Sequence, residues 1–514
     1  MDTDVLVVGA GPTGLMLANQ LARRGVKPLI IDRHSGPAQQ TRAIGVQART
    51  MEIYAQMGLI DEALARGAIA GGANLWANGE WKARIPVGDI GKDLSPYPFI
   101  LMLGQDENEH IMGEKLAALG VPIRWNTELT AFEQKGDHVA ARIRQPDGSV
   151  HTVTAAWVGG CDGSRSAVRE LSRIGFPGAP YAHTFFVADT EATGAMRPGE
   201  LNVYLWRDGF HLFFPMRGKD RWRVIGILPE ELRARDHVTF DEVVPSIARE
   251  AGANLAFRQC DWFSTYRIHH RAAERFRDRR CFLLGDAAHI HSPAGAQGMN
   301  TGLQDAYNLA WKLALVVQGR TDAGLLDTFE QERIPVARRL LETTDRAFQA
   351  VVSEGWLPRL LRTTVIARVA ATVMKLAPVR RFAFRTISQI GISYPHSALS
   401  QALPGLPKGA PGAGERFPWL RIGPANDLYR ALDDTRFNLL VFGDARTEDF
   451  GETVRVHVIA HSPENERELA RARISRPSFY LLRPDGHVGL CGPGFDAAAI
   501  RRWFTERALE RPRS

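Results

Sequence analysis

The stretch Asp4–His34, DVLVVGAGPTGLMLANQLARRGVKPLIIDRH, contains the pattern that decides the fold. Asp4 to Val8 is a short apolar run typical of a buried strand, and Pro28 to Ile31 predicts a second strand. Between them, a tight turn over Gly9–Gly14 leads into a predicted helix over Leu15–Arg24. This order of strand, glycine turn, helix and strand predicts a Rossmann-like unit within an α/β fold.

Each glycine of the turn has a separate physical task in a dinucleotide-binding unit. Gly9 permits the tight turn, Gly11 lets a phosphate approach the backbone, and Gly14 allows close packing of helix on strand. The helix N-terminus offers free N–H groups to a pyrophosphate, and Asp32 follows the second strand, where a carboxylate accepts hydrogen bonds from ribose hydroxyls. The unit therefore predicts a site for NAD or FAD without separating the two.

Two segments farther along the chain favour FAD, because a stand-alone NAD domain needs neither. The first, AAWVGGCDGSRSAVRE (155–170), is a strand-like run that turns through Asp162 into a helix. The second, CFLLGDAAHIHSPAGAQGMNTGLQDAYNLAWKL (281–313), predicts a strand ending at Gly285 and Asp286, a loop of small residues, and a helix. Asp286 is suited to bind a ribityl or ribose hydroxyl. The N–H groups of the loop and helix start suit the negative charge that develops on a reduced flavin.

With these three motifs in this order, the chain resembles the single-component (class A) FAD-dependent aromatic hydroxylases, typified by para-hydroxybenzoate hydroxylase and phenol hydroxylase. The resemblance spans roughly Asp4 to Ala337. It implies that Arg42 reaches the cofactor near its phosphates and that Gln105 contacts the sugar and adenine side of FAD. It also implies that Asp162 serves both FAD and NAD(P)H, and that Asp286 contacts the ribityl chain.

The resemblance further implies that a flavin-positioning loop, formed by Pro293, Gly295, Gln297 and Gly298, lies against the isoalloxazine. No residue is nominated as a general base, and no metal site is indicated. The full set of predicted cofactor-binding residues is Gly9, Gly11, Pro12, Thr13, Gly14, Asp32, Arg33, Arg42, Gln105, Asp162, Gly163, Gly285, Asp286, Pro293, Gly295, Ala296, Gln297, Gly298, Met299 and Asn300.

One position in this loop departs from the pattern of many relatives. They have Gly-Gly-Gln-Gly where this chain has Gly295-Ala296-Gln297-Gly298, so a methyl group crowds the loop if the backbone φ of Ala296 is positive. The nearby His289 and His291 are interpreted as structural, because hydroxylation by an oxygenated flavin needs no imidazole nucleophile.

Between the second and third motifs, residues 183–229 alternate apolar and polar residues around two turns, which predicts antiparallel strands. Aromatic residues in this segment are candidates for the apolar wall of a substrate pocket, although each of them would serve equally well in a core. The substrate-binding candidates are Tyr204, Trp206, Phe213, Phe214 and Pro215.

The chain of 514 residues exceeds the usual size of one hydrophobic core. We expect a catalytic unit over 1–392, with a GR2-type Rossmann-like FAD-binding domain mainly at 1–75, 100–180 and 270–392. A substrate domain would occupy mainly 76–99 and 181–269, and helical periodicity continues after Trp311. A Pro- and Gly-rich linker is predicted at 393–415, followed by a last domain at 416–514. The last domain resembles the thioredoxin-like domain of the phenol and polyketide hydroxylase branch, without a CxxC pair.

Composition excludes several other classes of protein. Charged residues make up 24% of the chain, and the net charge of +7 comes from Arg scattered among acids, which does not favour nucleic-acid binding. The four cysteines are far apart, which favours neither disulfides nor zinc and fits the reducing cytoplasm. No basic leader opens the sequence and no stretch reaches the length of a membrane span, so we expect neither a signal peptide nor a membrane anchor.

The resulting hypothesis is a monooxygenase that hydroxylates a phenolic or polycyclic aromatic substrate through a flavin C4a-hydroperoxide, with O2 as the oxygen donor. NADPH or NADH would visit transiently, because the sequence contains no second dinucleotide-binding unit, and the resemblance favours NADPH. Baeyer–Villiger oxygenation of a ketone and a non-enzymatic flavin-binding role stay open as alternatives. Halogenation is disfavoured because the WxWxIP motif is missing. The sequence also leaves a homodimer open.

Overall fold

The computed structural model of the chain describes residues 1–38, 43–206, 209–235, 237–291, 295–352, 372–374, 376–423, 426–443 and 448–509. Of residues 182, 268 and 345–352 it describes the backbone only. Strands and helices are interleaved along the chain in a mixed α/β fold. Within the described ranges, no helix is both long and apolar enough to cross a bilayer.

In chain order, the strands are β1 (Thr3–Val8), β2 (Pro28–Ile31), β3 (Gly45–Val46), β4 (Ala68–Ile69), β5 (Ala73–Ala77), β6 (Glu80–Ile85), β7 (Leu101–Met102), β8 (Ile123–Arg124), β9 (Glu128–Gln134), β10 (Val139–Arg144), β11 (Val150–Gly160), β12 (Gly178–Gly194), β13 (Leu201–Trp206), β14 (Gly209–Pro215), β15 (Arg221–Ile227), β16 (Leu255–Ala272), β17 (Arg277–Asp278), β18 (Cys281–Leu283), β19 (His289–Ile290), β20 (Gln401–Ala402), β21 (Phe437–Phe442), β22 (Val454–Val458), β23 (Ser478–Leu482) and β24 (Val488–Gly492). The helices are α1 (Pro12–Ala22), α2 (Ala48–Met57), α3 (Ile60–Arg66), α4 (Gln105–Ala118), α5 (Ala167–Leu171), α6 (Phe240–Ala251), α7 (Gly298–Val317), α8 (Asp327–Val352), α9 (Ala377–Ile387), α10 (Pro463–Ala472) and α11 (Ala497–Glu506).

The first sheet contains the predicted Rossmann-like unit. Its strand order is β17-β18-β11-β1-β2-β8, and β10 and β9 extend it from β11. β1 lies inside the sheet and pairs in parallel with both β2 and β11. Its residues Val5–Val8 are apolar and buried, as is typical of a parallel strand covered on both faces. The predicted strands are confirmed. The helix begins at Pro12 and ends at Ala22, earlier than predicted at both ends, because the rigid φ of proline suits the first helical position.

The second sheet confirms the prediction of antiparallel strands in the middle of the chain. Its order is β19-β16-β12-β15-β14-β13-β5-β6, and the pairs from β19 to β13 are antiparallel. Helix α6 packs on one face of this sheet, where an apolar cluster includes Phe186, Val224 and Val243. Helix α8 contacts β14 and β16 of the same sheet. A small sheet of order β3-β7-β4 adjoins the loop before α7.

The last sheet has the order β20-β24-β23-β21-β22. The segment SFYLLRPDGHVGL, predicted as one strand, forms the two antiparallel strands β23 and β24, because Pro484, Asp485 and Gly486 make a turn in its middle. Part of the predicted linker, Gln401–Ala402, is a strand of this sheet and pairs with β24. Of the helical region predicted after Trp311, residues 353–371 and 375 lie outside the described residues.

A group of charged side chains with no exposed surface joins the last sheet to α7 and α8. Lys312 of α7 donates to Glu332 of α8 at 2.7 Å, and Arg483 donates to both oxygens of Glu332 at 2.6 and 2.9 Å. All three side chains are 0% exposed. Burial lowers the pKa of Lys312 to about 8 against the attraction of Glu332. We call Lys312, Glu332, Arg483 and Asp485 the seam cluster, because they connect two parts of the chain.

Breaking the seam cluster should destabilise the whole chain. In Arg483→Met, Glu332 and Asp485 lose the guanidinium that both contact, so we expect the free energy of unfolding to fall by about 3–5 kcal/mol. Urea denaturation monitored by circular dichroism measures this change. The control is Arg501→Met, whose 2.9 Å pair with Glu448 is about half exposed and should change stability by at most about 1 kcal/mol. Equal effects of the two substitutions would contradict the assigned role of the seam cluster.

Candidate cofactor and active site

The three sequence motifs meet at one edge of the first sheet. β1, β11 and β18 are parallel neighbours, with Val8 opposite Gly160 and Gly160 opposite Leu283. Each motif starts where one of these strands ends, and the carboxyl ends of parallel strands lie at the same edge. The structure therefore brings the turn after β1, the turn after β11 and the turn after β18 side by side.

The backbones at this edge approach so closely that side chains do not fit. A Cβ on Gly9 would lie 2.4 Å from the carbonyl oxygen of Cys161, and one on Gly14 would lie 1.8 Å from the carbonyl oxygen of Gly9. Thr13 Oγ1 occupies the space beside Gly285 and Gly302, where an added Cβ would be 2.6 and 2.4 Å away. These contacts explain the glycines by packing, and they link all three motifs.

Gly11 differs from its neighbours, because little protein fills the space beside it. Among the described residues beyond its chain neighbours, the one atom within 4 Å of a Cβ placed there is Glu109 Oε1, at 4.0 Å. Gly11 is the N-cap of α1, Pro12 is the first helical residue, and no side chain caps the helix. The open cradle in front of uncapped N–H groups fits the pyrophosphate of a dinucleotide, as the sequence predicts.

Asp32 lies beside this cradle at the end of β2. Its Oδ2 accepts a hydrogen bond of 2.7 Å from the Ala10 N–H, and its Oδ1 accepts one of 2.8 Å from the His34 N–H. These bonds fix the carboxylate against the phosphate turn, where the sequence places a ribose. Arg33 is exposed, and Arg42 lies outside the described residues.

The side chain of Asp162 stabilises the turn between β11 and α5. Its carboxylate accepts hydrogen bonds from Ser166 Oγ at 2.5 Å and from the Val168 N–H at 3.2 Å, which closes the start of α5. Burial raises the pKa of this carboxyl above its ordinary value. Gly163 follows Asp162 in the turn between β11 and α5, and its φ of +76° is one that glycine adopts readily. The contacts observed for Asp162 are thus within its own motif.

Asp305 of α7 fixes the turn that contains Gly285 and Asp286. Asp305 accepts from the Gly285 N–H at 3.0 Å and from Arg333 Nε at 2.6 Å, and lies 2.7 Å from His289 Nε2. Burial opposes ionisation of Asp305, but Arg333 and His289 outweigh it and hold its pKa below the ordinary value. His289 is buried in this network, in agreement with the structural role predicted for it, whereas Asp286 is exposed.

The loop before α7 contains the departure noted in the sequence. Ala296 has a φ of +52°, so the alanine does occupy the left-handed region that favours glycine. Its methyl group packs against Gly45, where an added Cβ would be 2.6 Å from Ala296 Cβ. Gly295 also has a positive φ, of +78°, and residues 292–294, including Pro293, lie outside the described residues.

Asn300 anchors this loop in a way that the sequence did not indicate. Its Oδ1 accepts from the Gln47 N–H at 2.9 Å and from Thr50 Oγ1 at 2.7 Å. Its Nδ2 donates to the carbonyl oxygens of Gly45 and Ala296 at 2.9 and 2.8 Å. The Asn300 side chain is 0% exposed, so its polar atoms are used in fixing the loop to the segment before α2.

The N-terminus of α7 is the second uncapped helix start at the site. Gln297 is the N-cap without a side-chain hydrogen bond to the helix, and Gly298 is the first helical residue. Gln297 is nearly buried, and Met299 Sδ lies 3.8 Å from Asn108 Nδ2. The helix start presents N–H groups beside the loop, which suits an anionic edge of a bound ring.

The candidates for the substrate wall lie on two faces of the second sheet. Directly paired residues share a face, and Tyr204 pairs with His211, Trp206 with Gly209 and Pro215 with Trp222. Tyr204 and Phe213 are 0% exposed and pack in the cluster under α6. Because side chains alternate along a strand, Trp206 and Pro215 are also on the α6 face.

Phe214 is the one candidate on the opposite face. It packs against Ile44, Ala70 and Met102, which adjoin Gly45 and hence the loop before α7. Leu205 and Phe210 lie on the same side of the sheet, in a cluster with Phe185. This face, and not the one carrying most of the predicted aromatics, is turned toward the cofactor edge.

Gln105 and Glu109 are on the first turns of α4, beside the phosphate cradle. Gln105 Nε2 donates to Glu109 Oε1 at 2.8 Å, and Glu109 Oε2 accepts from the Ala38 N–H at 2.7 Å. Burial, together with the negative charge of Asp32, raises the pKa of Glu109. Glu109 was not among the predicted site residues. Its position four residues after Gln105, which places both on one helix face, is the signal that could have indicated it.

Comparison with known proteins agrees with this geometry. The family model described as FAD binding domain matches residues 2–344 of the chain. The chain is 36% identical over 521 residues to 6-methylpretetramide 4-monooxygenase of Streptomyces rimosus, covering 95% of this chain and 90% of the relative. It is 30% identical to pentachlorophenol 4-monooxygenase of Sphingobium chlorophenolicum, covering 94% and 86%. A solved ternary complex of aklavinone-11 hydroxylase with FAD and aklavinone matches with a TM-score of 0.79 and 27% identity over 99% of each chain.

The phosphate cradle predicts the effect of a single methyl group. Gly11→Ala should leave the stability of the apoprotein unchanged, because the φ of −71° is ordinary and no protein atom is closer than 4.0 Å. FAD affinity should fall roughly 10- to 100-fold, since the methyl group fills the space for the pyrophosphate. Titration of apoprotein with FAD, followed by flavin fluorescence, measures this. Gly113→Ala in α4, where the added Cβ meets nothing within 4 Å, is the control, and equal affinities of both variants would refute the cradle.

The contact between Gly45 and Ala296 predicts that a second substitution restores the stability lost by the first. Gly45→Ala should destabilise the chain by about 1–3 kcal/mol, because the new Cβ would lie 2.6 Å from Ala296 Cβ. The double variant Gly45→Ala/Ala296→Gly removes the opposing methyl group and should recover most of that loss in urea denaturation. Additive destabilisation by the two substitutions would contradict the packing of the loop on β3.

Proposed function

This chain belongs to the FAD binding domain family and is an FAD-dependent monooxygenase, and we propose that it hydroxylates a phenolic or polycyclic aromatic compound. The observation that carries the proposal is the position of the apolar face with Phe214, directly beside the loop before α7. Flat apolar ligands bind against mostly apolar surfaces. The names of the relatives, which include a chlorinated phenol and a polycyclic compound, support the same substrate class.

The residues of the chain bind and orient the reactants in this proposal. The cradle at Gly11 and the start of α1 would hold the pyrophosphate, and Asp32 would hold the adenosine ribose. The start of α7 would face the isoalloxazine, and the loop fixed by Asn300 would keep that ring in place. When bound, FAD supplies the redox chemistry, taking electrons from NAD(P)H and activating O2 for transfer of one oxygen atom to the substrate.

Exclusion of water is the main contribution that the sheet face would make. Ile44, Met102 and Phe214 form an apolar surface next to the loop, which lowers the local water content around a bound aromatic ring. These side chains would keep water away from the reacting atoms when substrate and cofactor are bound. Asp286 and Asp162 would contact the cofactor, the latter also NAD(P)H, as the family resemblance implies. NADPH is the preferred donor on the same basis.

The last part of the chain would form a thioredoxin-like domain at 416–514. Supporting this, β21 and β22 are parallel, and β23 and β24 follow antiparallel, with α10 and α11 in the order of that fold. Cys491 is 0% exposed, and burial raises the pKa of its thiol to about 12, so it is unsuited to redox exchange. We assign 1–392 to the catalytic unit and 393–415 to the connection, and we place the enzyme in the cytoplasm as a monomer or homodimer.

A substrate screen tests the proposal. Phenols, aromatic acids and polycyclic ketones should be added to the FAD-loaded enzyme with NADPH or NADH, and the oxidation of the nicotinamide followed at 340 nm. We expect at least one aromatic compound to stimulate oxidation and to gain one oxygen atom on a ring carbon, as established by mass spectrometry and NMR. An oxygen atom inserted beside a ketone would instead identify Baeyer–Villiger chemistry. Unstimulated oxidation with every compound would contradict aromatic hydroxylation.

A further inference from the structure

Glu109 is a buried carboxylate at the edge of the phosphate cradle, and the cofactor motifs leave it without a role. It is 4% exposed, and its Oε1 is the protein atom nearest to the open side of Gly11. A carboxylate beside a pyrophosphate is electrostatically unfavourable, and Asp32 nearby adds to the negative charge. Some other task must therefore explain why a carboxylate occupies this place.

The hydrogen bonds of Glu109 show what that task is. Oε2 accepts from a backbone N–H, that of Ala38, which can only donate. Oε1 faces the side-chain amide of Gln105 at 2.8 Å, and an ionised carboxylate only accepts. The Gln105 group facing Glu109 must then be the NH2. The carbonyl oxygen of Gln105 is turned the other way, and it accepts no hydrogen bond from any described residue.

We propose that Glu109 is a positioning residue that fixes the amide of Gln105, so that its carbonyl oxygen, and not its NH2, faces the adenosine side of the FAD site. This inference rests on the proposed FAD site. An amide can rotate by half a turn at little cost in shape, which exchanges an acceptor for two donors. Glu109 removes this freedom, because only one orientation places a donor against its Oε1. The cofactor group recognised is therefore a hydrogen-bond donor, such as a ribose hydroxyl.

The substitution Glu109→Gln should reverse the orientation of the Gln105 amide. The amide oxygen at position 109 must accept from the Ala38 N–H, so its NH2 faces Gln105. Gln105 then has to offer its carbonyl oxygen to that NH2 and present its own NH2 to the cofactor. Size, shape and the hydrogen bond between the two side chains stay the same, whereas the orientation of Gln105 reverses and one negative charge is lost, as it is in the control Glu114→Gln.

Exchanging the two residues restores an acceptor. In the double variant Gln105→Glu/Glu109→Gln, the amide at position 109 still accepts from Ala38 and donates to one carboxylate oxygen at position 105. The second carboxylate oxygen then faces the cofactor as an acceptor. The number of charges is the same as in the native chain. A role of Glu109 that is merely structural does not predict this recovery.

The experiment is a titration of apoprotein with FAD at pH 8, well above the ordinary pKa of a carboxyl group, followed by flavin fluorescence. Glu109→Gln should raise the Kd for FAD about tenfold, which corresponds to one lost hydrogen bond of about 1.4 kcal/mol. Gln105→Ala should have a similar effect, with no further loss when it is combined with Glu109→Gln. The exchanged double variant should return to within about threefold of the native Kd. The control is Glu114→Gln, an exposed carboxylate on the same helix that pairs with Arg66, and it should not change the Kd.

The outcomes separate this inference from the proposed function. If the native chain and Glu114→Gln bind FAD tightly and Glu109→Gln binds it equally well, the positioning role is wrong and the FAD site stands. Weak binding by both Glu109→Gln and the exchanged variant also overturns it, because the acceptor alone then does not restore affinity. If the native chain binds no FAD, both this inference and the proposed function fail. Circular dichroism of each apoprotein verifies that the variants fold.

Discussion

The closeness of three backbone turns at the edge of the first sheet is the constraint on which the rest of the structure depends. The turn after β1 touches the turn after β11 through Gly9 and Cys161, and it touches the turn after β18 through Thr13 and Gly285. No side chain fits at Gly9, Gly14, Gly285 or Gly302 without displacing backbone or Thr13. Because the turns pack so tightly, the starts of α1 and α7 face one crevice with their N–H groups uncapped.

Helix α7 connects this edge of the first sheet to other parts of the chain through hydrogen bonds of its side chains. Near its start, Asn300 fixes the loop to Gly45 and Gln47, and Asp305 fixes the turn at Gly285. Two turns later, Lys312 enters the seam cluster with Glu332 and Arg483. One helix therefore links the cofactor edge, the small sheet and the last sheet. A buried ion cluster of this kind is costly to break, so it holds the last sheet against α7 and α8.

Local patterns were predictable from the sequence, and long-range contacts were not. The glycine turn after β1 needs only its neighbouring strand and helix to be recognised, so its place was predicted within a few residues. The sequence analysis grouped Phe213 and Phe214 together, whereas strand geometry sends adjacent residues to opposite faces of the sheet. The roles of Asn300 and Glu109 depend on partners about 250 and 71 residues away, and no single-sequence pattern encodes such pairs. The hairpin of β23 and β24 was missed because its turn lies inside an otherwise apolar run.

A crystal structure of the chain with FAD tests the central claim most directly. The account predicts that the pyrophosphate lies within hydrogen-bonding distance of the N–H groups that follow Gly11, with the isoalloxazine against Gly295–Gly298 and the adenosine ribose at Asp32. FAD bound elsewhere, or with its pyrophosphate remote from the start of α1, would contradict the claim that three distant motifs build one cofactor site.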